Sequence, residues 1–232
     1  MARRPASTEY AAWFGRYIHL VEDVDDLAET MARQLDETMA WYRSLSEAQA
    51  DSRYAPGKWT IKEVLGHMAD TERVMQYRAL GVGRGDASSF PSFEQDDYAR
   101  TSGHGIRAWS SLLDEFKVVR QSSIHLFRHF DEASLDRVGT VNQQPTTARA
   151  VGYVILGHER HHLAILKEQY LDDDRTIWLN NAKRPAGYKP NHLGYSVGRF
   201  EADGTLVVET SGFSPGGTSL SGLPGDAARV RG

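Results

Sequence analysis

Apolar residues recur at three- and four-residue intervals in four stretches of the chain, the signature of amphipathic helices. The first stretch, Asp23 to Leu45, carries Leu27, Met31, Leu35, Met39 and Tyr42. The second opens at Thr60, a plausible N-cap with Glu63 three residues on to complete a capping box. It runs to about Leu80 with Ile61, Val64, Leu65, Met68 and Met75 on one side, and the glycines between Gly81 and Asp86 stop it. The third spans Ile106 to Phe130 with Trp109, Leu112, Leu113, Phe116, Val119, Ile124 and Phe127. Thr146 or Thr147 opens the fourth, which carries Val151, Val154, Ile155, Leu163, Ile165 and Leu166 and runs to about Leu171. No strand pattern lies among them, so the expected fold is mainly α, a four-helix bundle.

The connections differ in character. Residues 1–22 form an irregular arm with the aromatic anchors Trp13, Phe14 and Tyr17, and Ser46 to Lys58 is a connection. The loop from Gly81 to Gly105 is long for a compact domain, and loops of that length are often functional. Its segment Phe90 to Tyr98 mixes aromatic and acidic residues, while Val138 to Pro145 is a polar loop. After Leu171 the chain turns rich in glycine and proline, with Asp172-Asp173-Asp174 at the break. Strand-like runs follow at Thr176 to Leu179, Tyr195 to Phe200 and Thr205 to Thr210, and Asp203-Gly204 is a hairpin signal. Everything after Gly212 reads as flexible. The expected organisation is a bundle over 1–171 and an irregular tail with a β-hairpin over 172–232, a candidate fused fragment. A lone hairpin is marginal in water, so the tail must dock, pair with another chain or fray.

Composition narrows the function classes. Hydrophobic content is 40%, charged content 25% and formal net charge −4, which leaves no basic field for nucleic acid or an anionic membrane. Cysteine is absent, which excludes disulfides, thiolate metal sites and a cysteine nucleophile. The first residues are basic, but Ala6 to Tyr17 has no long apolar core and is not a signal peptide. No run reaches the length of a membrane span. A cytoplasmic protein is expected.

The densest chemistry lies in Gly157-His158-Glu159-Arg160-His161-His162-Leu163. Helix residues four apart share a face about 6 Å apart along the axis, so His158 and His162 can offer nitrogens to one metal ion while His161 points elsewhere. His67, on the second helix, is the candidate third ligand. Three neutral imidazoles with an open fourth position make the ligand count of a catalytic zinc-like site. His158-Glu159-x-x-His162 also fits the HExxH pattern of zinc proteases, but that reading needs a third ligand downstream, where only His192 stands. Glu159 with His162 also forms half of a di-iron carboxylate motif whose second half is missing. No catalytic residue is assigned. Glu159 and Glu63 are candidates to orient a ligand imidazole or to act as a base. Against that, Glu159 points about 100° away from His158, towards a surface role, and Glu63 has its cap. Asp70, Arg73 and Tyr98 are candidate cavity residues, and Trp59 and Trp109 core or cavity wall. His19, His104, His125, His129, His161 and His192 have no partner spacing, and His125 and His129 read as exposed.

From Tyr10 to Leu171 the chain resembles the DinB-like (damage-inducible) family. The matching residues are the run Tyr54 to His67, Asp70 to Arg73, Tyr77 to Leu80, Phe93 to Tyr98 and Gly157 to His162. The resemblance implies a four-helix bundle, often dimeric, with a divalent metal on three histidines, which by position are His67, His158 and His162. It implies a metal-dependent hydrolase, or a thiol S-transferase using a low-molecular-weight thiol such as bacillithiol or mycothiol, acting on a small molecule. The alternatives are a non-catalytic binding or dimerisation module stapled by the metal, and a bundle without metal. Neutral imidazoles suit zinc, nickel and iron alike. The tail, Gly194 to Glu201 and Asp203 to Phe213, resembles a β-rich segment of uncharacterised secreted bacterial proteins. Those usually carry His where Tyr195 stands, Trp where Phe200 stands, and a signal peptide.

Overall fold

The four apolar repeats become the four long helices of the computed structural model, which describes residues 3–21, 24, 26–170, 177–179, 195–212 and the backbone of 228–231. The helices are α1 (Gly15–Ile18), α2 (Leu27–Arg43), α3 (Glu47–Ala50), α4 (Ile61–Arg84), α5 (Gln95–Ser102), α6 (Trp109–Arg128), α7 (Glu132–Asp136) and α8 (Ala148–Ile165). The long ones, α2, α4, α6 and α8, bury the faces that the periodicity marks: Met31 and Leu35, Leu65 and Met68, Leu112 and Phe116, Val151 and Ile155. Burying each such side chain stabilises the fold by roughly 1.5–3 kcal/mol. The chain divides into two compact units, Met1–Leu166 and Lys167–Gly232. No helix among the described residues is long and apolar enough to cross a membrane.

Caps set the helix starts. Thr60 Oγ1 accepts from the Glu63 amide (3.1 Å) and the Glu63 carboxylate accepts from the Thr60 amide (2.7 Å), so the capping box forms. Asp26 accepts from the Glu29 amide, which starts α2 at Leu27 rather than Asp23. Thr147 caps α8. Two further boundaries differ from expectation. Helix α4 runs through Gly81 and Gly83 to a left-handed Gly85, φ 78°. Gly81 is in the helix because Phe90 packs on it: a Cβ there would lie 2.2 Å from the Phe90 ring. Helix α6 starts at Trp109, since His104–Ile106 forms a separate 3-10 turn with Ile106 in solvent. The expected end of α8 at Leu171 lies outside the described residues, and a π-helical turn, Leu166–Tyr170, follows Ile165.

The helices run up, down, down, up. Trp109 at the start of α6 and Lys62 at the start of α4 both bind Glu47, and Arg120 reaches Glu72, so α4 and α6 are parallel. Gln34 reaches Leu156 and Glu159, so α2 and α8 are parallel. Arg128, near the end of α6, pairs with Glu29 near the start of α2, so the two pairs are antiparallel. Two consecutive parallel helices need a crossover. A helix of 24 residues such as α4 is about 36 Å long, and the Gly85–Ala108 link must return over that distance. This is why the connection is long; α5 and the His104 turn fill part of it.

A small sheet corrects the all-helical expectation for this unit. Strands β1 (Ser89–Phe90), β2 (Val138–Val141) and β3 (Gln144–Thr147) lie in the order β1-β2-β3, parallel then antiparallel. The stretch read as a polar loop is thus a hairpin. Val141 pairs with Gln144, and the two-residue turn Asn142-Gln143 has both φ positive, 49° and 62°. That is the backbone of the preferred hairpin turn, which usually announces itself as Asn-Gly.

In the second unit β4 (Ile177–Trp178), β5 (Tyr195–Phe200), β6 (Leu206–Ser211) and β7 (Ala228–Arg231) form one sheet in sequence order. Asp203-Gly204 makes the expected turn between β5 and β6, with Gly204 at φ 86° and Asp203 accepting from the Thr205 amide. The Ser196 and Thr210 hydroxyls bond across the pair at 2.9 Å. Strand β7 corrects the expectation that everything after Gly212 lacks structure. Residues 213–227, His192 and Asp172–Asp174 lie outside the described residues.

Candidate metal centre

Antiparallel packing of α4 on α8 brings His67 against His158 and His162. The His158 Nε2 lies 3.2 Å from His67 Nε2 and 3.1 Å from His162 Nε2, and one nitrogen from each ring lies within 4.8 Å of the others. Nitrogens bound to one ion at 2.0–2.1 Å and tetrahedral angles would be about 3.3 Å apart. The spacing fits that donor set. It also places three ring nitrogens around one point, where a single shared proton cannot satisfy all of them.

The electrostatics favour the metal-ligating form. Burial lowers His67 to about 4, with Asp70 opposing the shift. Burial first, then the repulsion that protonated neighbouring imidazoles would exert, holds His158 and His162 well below the usual histidine value. All three are neutral at pH 7, with lone pairs available. Among the described residues, His67, His158 and His162 are the one group of this kind. His161 lies beside them, its ring 5.2 Å from that of His162, without joining. His125 and His129 are exposed, as expected.

The walls come from residues with no obvious sequence link to the histidines. Trp59 lies over His67, ring centroids 4.9 Å apart, and Thr71 Oγ1 lies 3.5 Å from His67 Nδ1. Tyr17, on α1, meets His158 edge-on at 5.3 Å. Gly157 permits that approach: a Cβ there would stand 2.1 Å from the Tyr17 carbonyl oxygen. His104, for which spacing offers no partner, donates from Nε2 to Asp70 Oδ2 at 2.9 Å and packs on Gly66. Asp70 is therefore engaged with His104 and Arg73 rather than with the imidazoles, while Tyr98 is exposed.

Glu159 is not a surface residue. It is 1% exposed, accepts from Gln34 Nε2 at 2.6 Å, and Arg120 Nη1 sits 2.6 Å from its carboxylate. Arg120 also grips Glu72 through two bonds of 2.7 and 2.8 Å, and Ser123 donates to the same carboxylate. Gln34, Glu72, Arg120 and Glu159 thus tie α2, α4, α6 and α8 together beside the histidines. Burial raises the Glu159 pKa, only partly offset by Arg120. Burial works to lower that of Arg120, but Glu159 and Glu72 outweigh it and leave it raised. Glu159 faces this cluster and not the imidazoles, so the HExxH reading lacks its base. Glu63 is held by the cap. Neither carboxylate bonds a site imidazole.

A cleft of about 230 Å³ opens from His158 and Thr71. Tyr17 and Phe14 wall one side, Met75 and Arg78 continue along α4, and Phe93, Glu94 and Asn142 close the far end.

Residues 30–166 match the model of the DinB superfamily. The chain belongs to that superfamily. A protein of Oceanobacillus iheyensis provisionally named a metal-dependent hydrolase is 25% identical over 152 residues, 63% of this chain and 85% of that protein. Among solved structures, YfiT from Bacillus subtilis, described as a probable metal-dependent hydrolase with an unusual four-helix bundle topology, superposes with a TM-score of 0.54. It is 16% identical, over 72% of this chain and 91% of YfiT, and the likeness establishes the shared fold. The DinB resemblance read from the motifs therefore holds, and the up-down-down-up bundle is the form in which this superfamily member carries its three histidines.

Proposed function

We propose that this DinB-superfamily chain is a metal-dependent hydrolase of small molecules, with a divalent ion held by His67, His158 and His162. The observation that carries the reading is the convergence of three neutral imidazoles, His67 and His158 buried and His162 half-buried, of which His158 lines a cleft. An ion on such a donor set supplies Lewis acidity at a coordination position open to water. The chain's own residues hold the geometry. Trp59 fixes the His67 ring, Tyr17 fixes that of His158, and the Arg120 cluster sets the register of α4 against α8. The relatives' names support hydrolysis over transfer to a thiol.

The test is turnover of a panel of chromogenic esters, amides and phosphoesters by the metal-loaded chain, in parallel with transfer of low-molecular-weight thiols to electrophiles. Hydrolysis that is lost on chelation and restored by metal supports the proposal. Metal-dependent thiol transfer without hydrolysis would replace it, and no metal-dependent turnover in either panel would leave a metal-stapled binding module.

A further inference from the structure

Among the described residues, the buried cations of the bundle are paired, with one exception. Lys62 sits on Glu47 and Asp51, Arg120 on Glu72 and Glu159, and Arg149 on Glu132 and Asp136. Arg78 is 3% exposed, yet forms no ion pair with any carboxylate among the described residues. Its Nη2 donates to the Pro91 carbonyl, Nη1 touches Met75 Sδ at 3.6 Å, and the guanidinium lies 5.8 Å from the centre of the Phe93 ring. A buried guanidinium with five donors and no counter-charge is costly unless something anionic completes it.

Arg78 lines the same cleft as His158. His67, Thr71, Met75 and Arg78 follow one another at helical spacing along a single stripe of α4. Thr71, beside the imidazoles, and Arg78 are seven residues apart, which is about 10 Å of helix. The far end is polar. Asn142 lines it from the turn between β2 and β3. The other charged groups on the cleft are Arg16, whose guanidinium lies 4.8 Å from the centre of the Tyr17 ring, and Glu94. Both are exposed, so water weakens their fields, whereas the charge of Arg78 is buried.

We propose that the cleft takes a small substrate with two ends, its reactive group at the three imidazoles and a terminal carboxylate or phosphate on Arg78, which stands about 10 Å of helix beyond Thr71. The assignment of the reactive end rests on the proposed metal site; that of the anionic end rests on Arg78 alone. The two-ended substrate explains why an arginine is buried without a carboxylate partner beside the site.

Calorimetric titration of the metal-loaded full chain with octanoate, octanedioate and 8-phosphonooctanoate tests this without turnover. The two-ended probes should bind about 10- to 100-fold more tightly than octanoate, the size of a charge-assisted hydrogen bond. Arg78→Met should bring all three to a similar affinity, and Arg78→Lys should keep part of the gain. The tighter of the two-ended probes identifies the anion. Arg78→Gln reads the same ratio if the methionine variant does not fold. The proposal is overturned if octanedioate gains nothing over octanoate, or if its advantage survives Arg78→Met. Repeating the titration with His162→Ala separates the two readings. If the histidines hold no metal, that variant changes no affinity while the Arg78 effect remains.

Discussion

Replacing Arg120 by methionine removes the one cation that two buried carboxylates share. Glu72 and Glu159 are 4% and 1% exposed, so neither can reach water without opening the bundle. Removing one partner of a buried ion pair costs about 3–5 kcal/mol, most of it from the charge left behind. For a unit of this size that is a drop in midpoint temperature of roughly 6–20 °C. The penalty should depend on pH in a definite direction. Burial raises the folded pKa of Glu159 and Arg120 opposes that rise, so without Arg120 the penalty is largest in the alkaline range and shrinks as pH falls and Glu159 takes up a proton. Urea unfolding of metal-free protein at pH 8 and pH 5 measures it, with the slope against urea as a check that the unfolded states are comparable. Adding Glu72→Gln and Glu159→Gln to Arg120→Met removes the stranded charges while keeping acceptors for Ser123 and Gln34. More than half of the loss should return. A loss below about 1 kcal/mol in the single variant, or a triple variant no better than the single, would refute the claim that this cluster is a charge-balanced tie between four helices.

Acid should destabilise the metal-free chain through the histidines. His67 titrates near 4 when folded and near 6.5 when unfolded, so the unfolded chain takes the proton first. Stability is full above pH 6.5 and falls by about 3 kcal/mol by pH 4 from His67 alone. His158 and His162 add to the loss in the same direction, and a flat stability profile from pH 7 to 4 would contradict their burial as neutral rings. Gly157→Ala places a methyl against the Tyr17 backbone, so the arm must shift; a loss of about 1–3 kcal/mol and weaker quenching of Tyr17 by its histidine neighbours should follow. Thr60→Ala removes the cap of α4 and should cost about 1 kcal/mol by urea unfolding, with metal content retained.

The helix faces are legible because burial follows the 3.6-residue period, and Thr60 and Asp203-Gly204 because cap and turn chemistry is local. The meeting of His67 with His158 and His162 is legible for a different reason: three imidazoles are the smallest set that makes a site, and helix four supplies only two. What stays hidden is set at a distance. The sequence around Glu159 says only that it points about 100° from His158; that an arginine and a glutamine from two other helices wait there is a property of the packing. The parallel course of α4 and α6 is not in either helix, although the long link between them is its trace. The Asn142-Gln143 turn escapes because Gln stands where glycine would signal a hairpin. His104 finds Asp70 only because the crossover folds back on α4.

The three-histidine centre is tested most directly by the metal content of the untagged chain by elemental mass spectrometry, beside His162→Ala. Close to one divalent ion per chain is expected in the wild type, and its loss in the variant, with the helical content of both alike. Little metal in the wild type even after reconstitution, or equal metal in both, would contradict the three-histidine centre on which the proposed hydrolase rests.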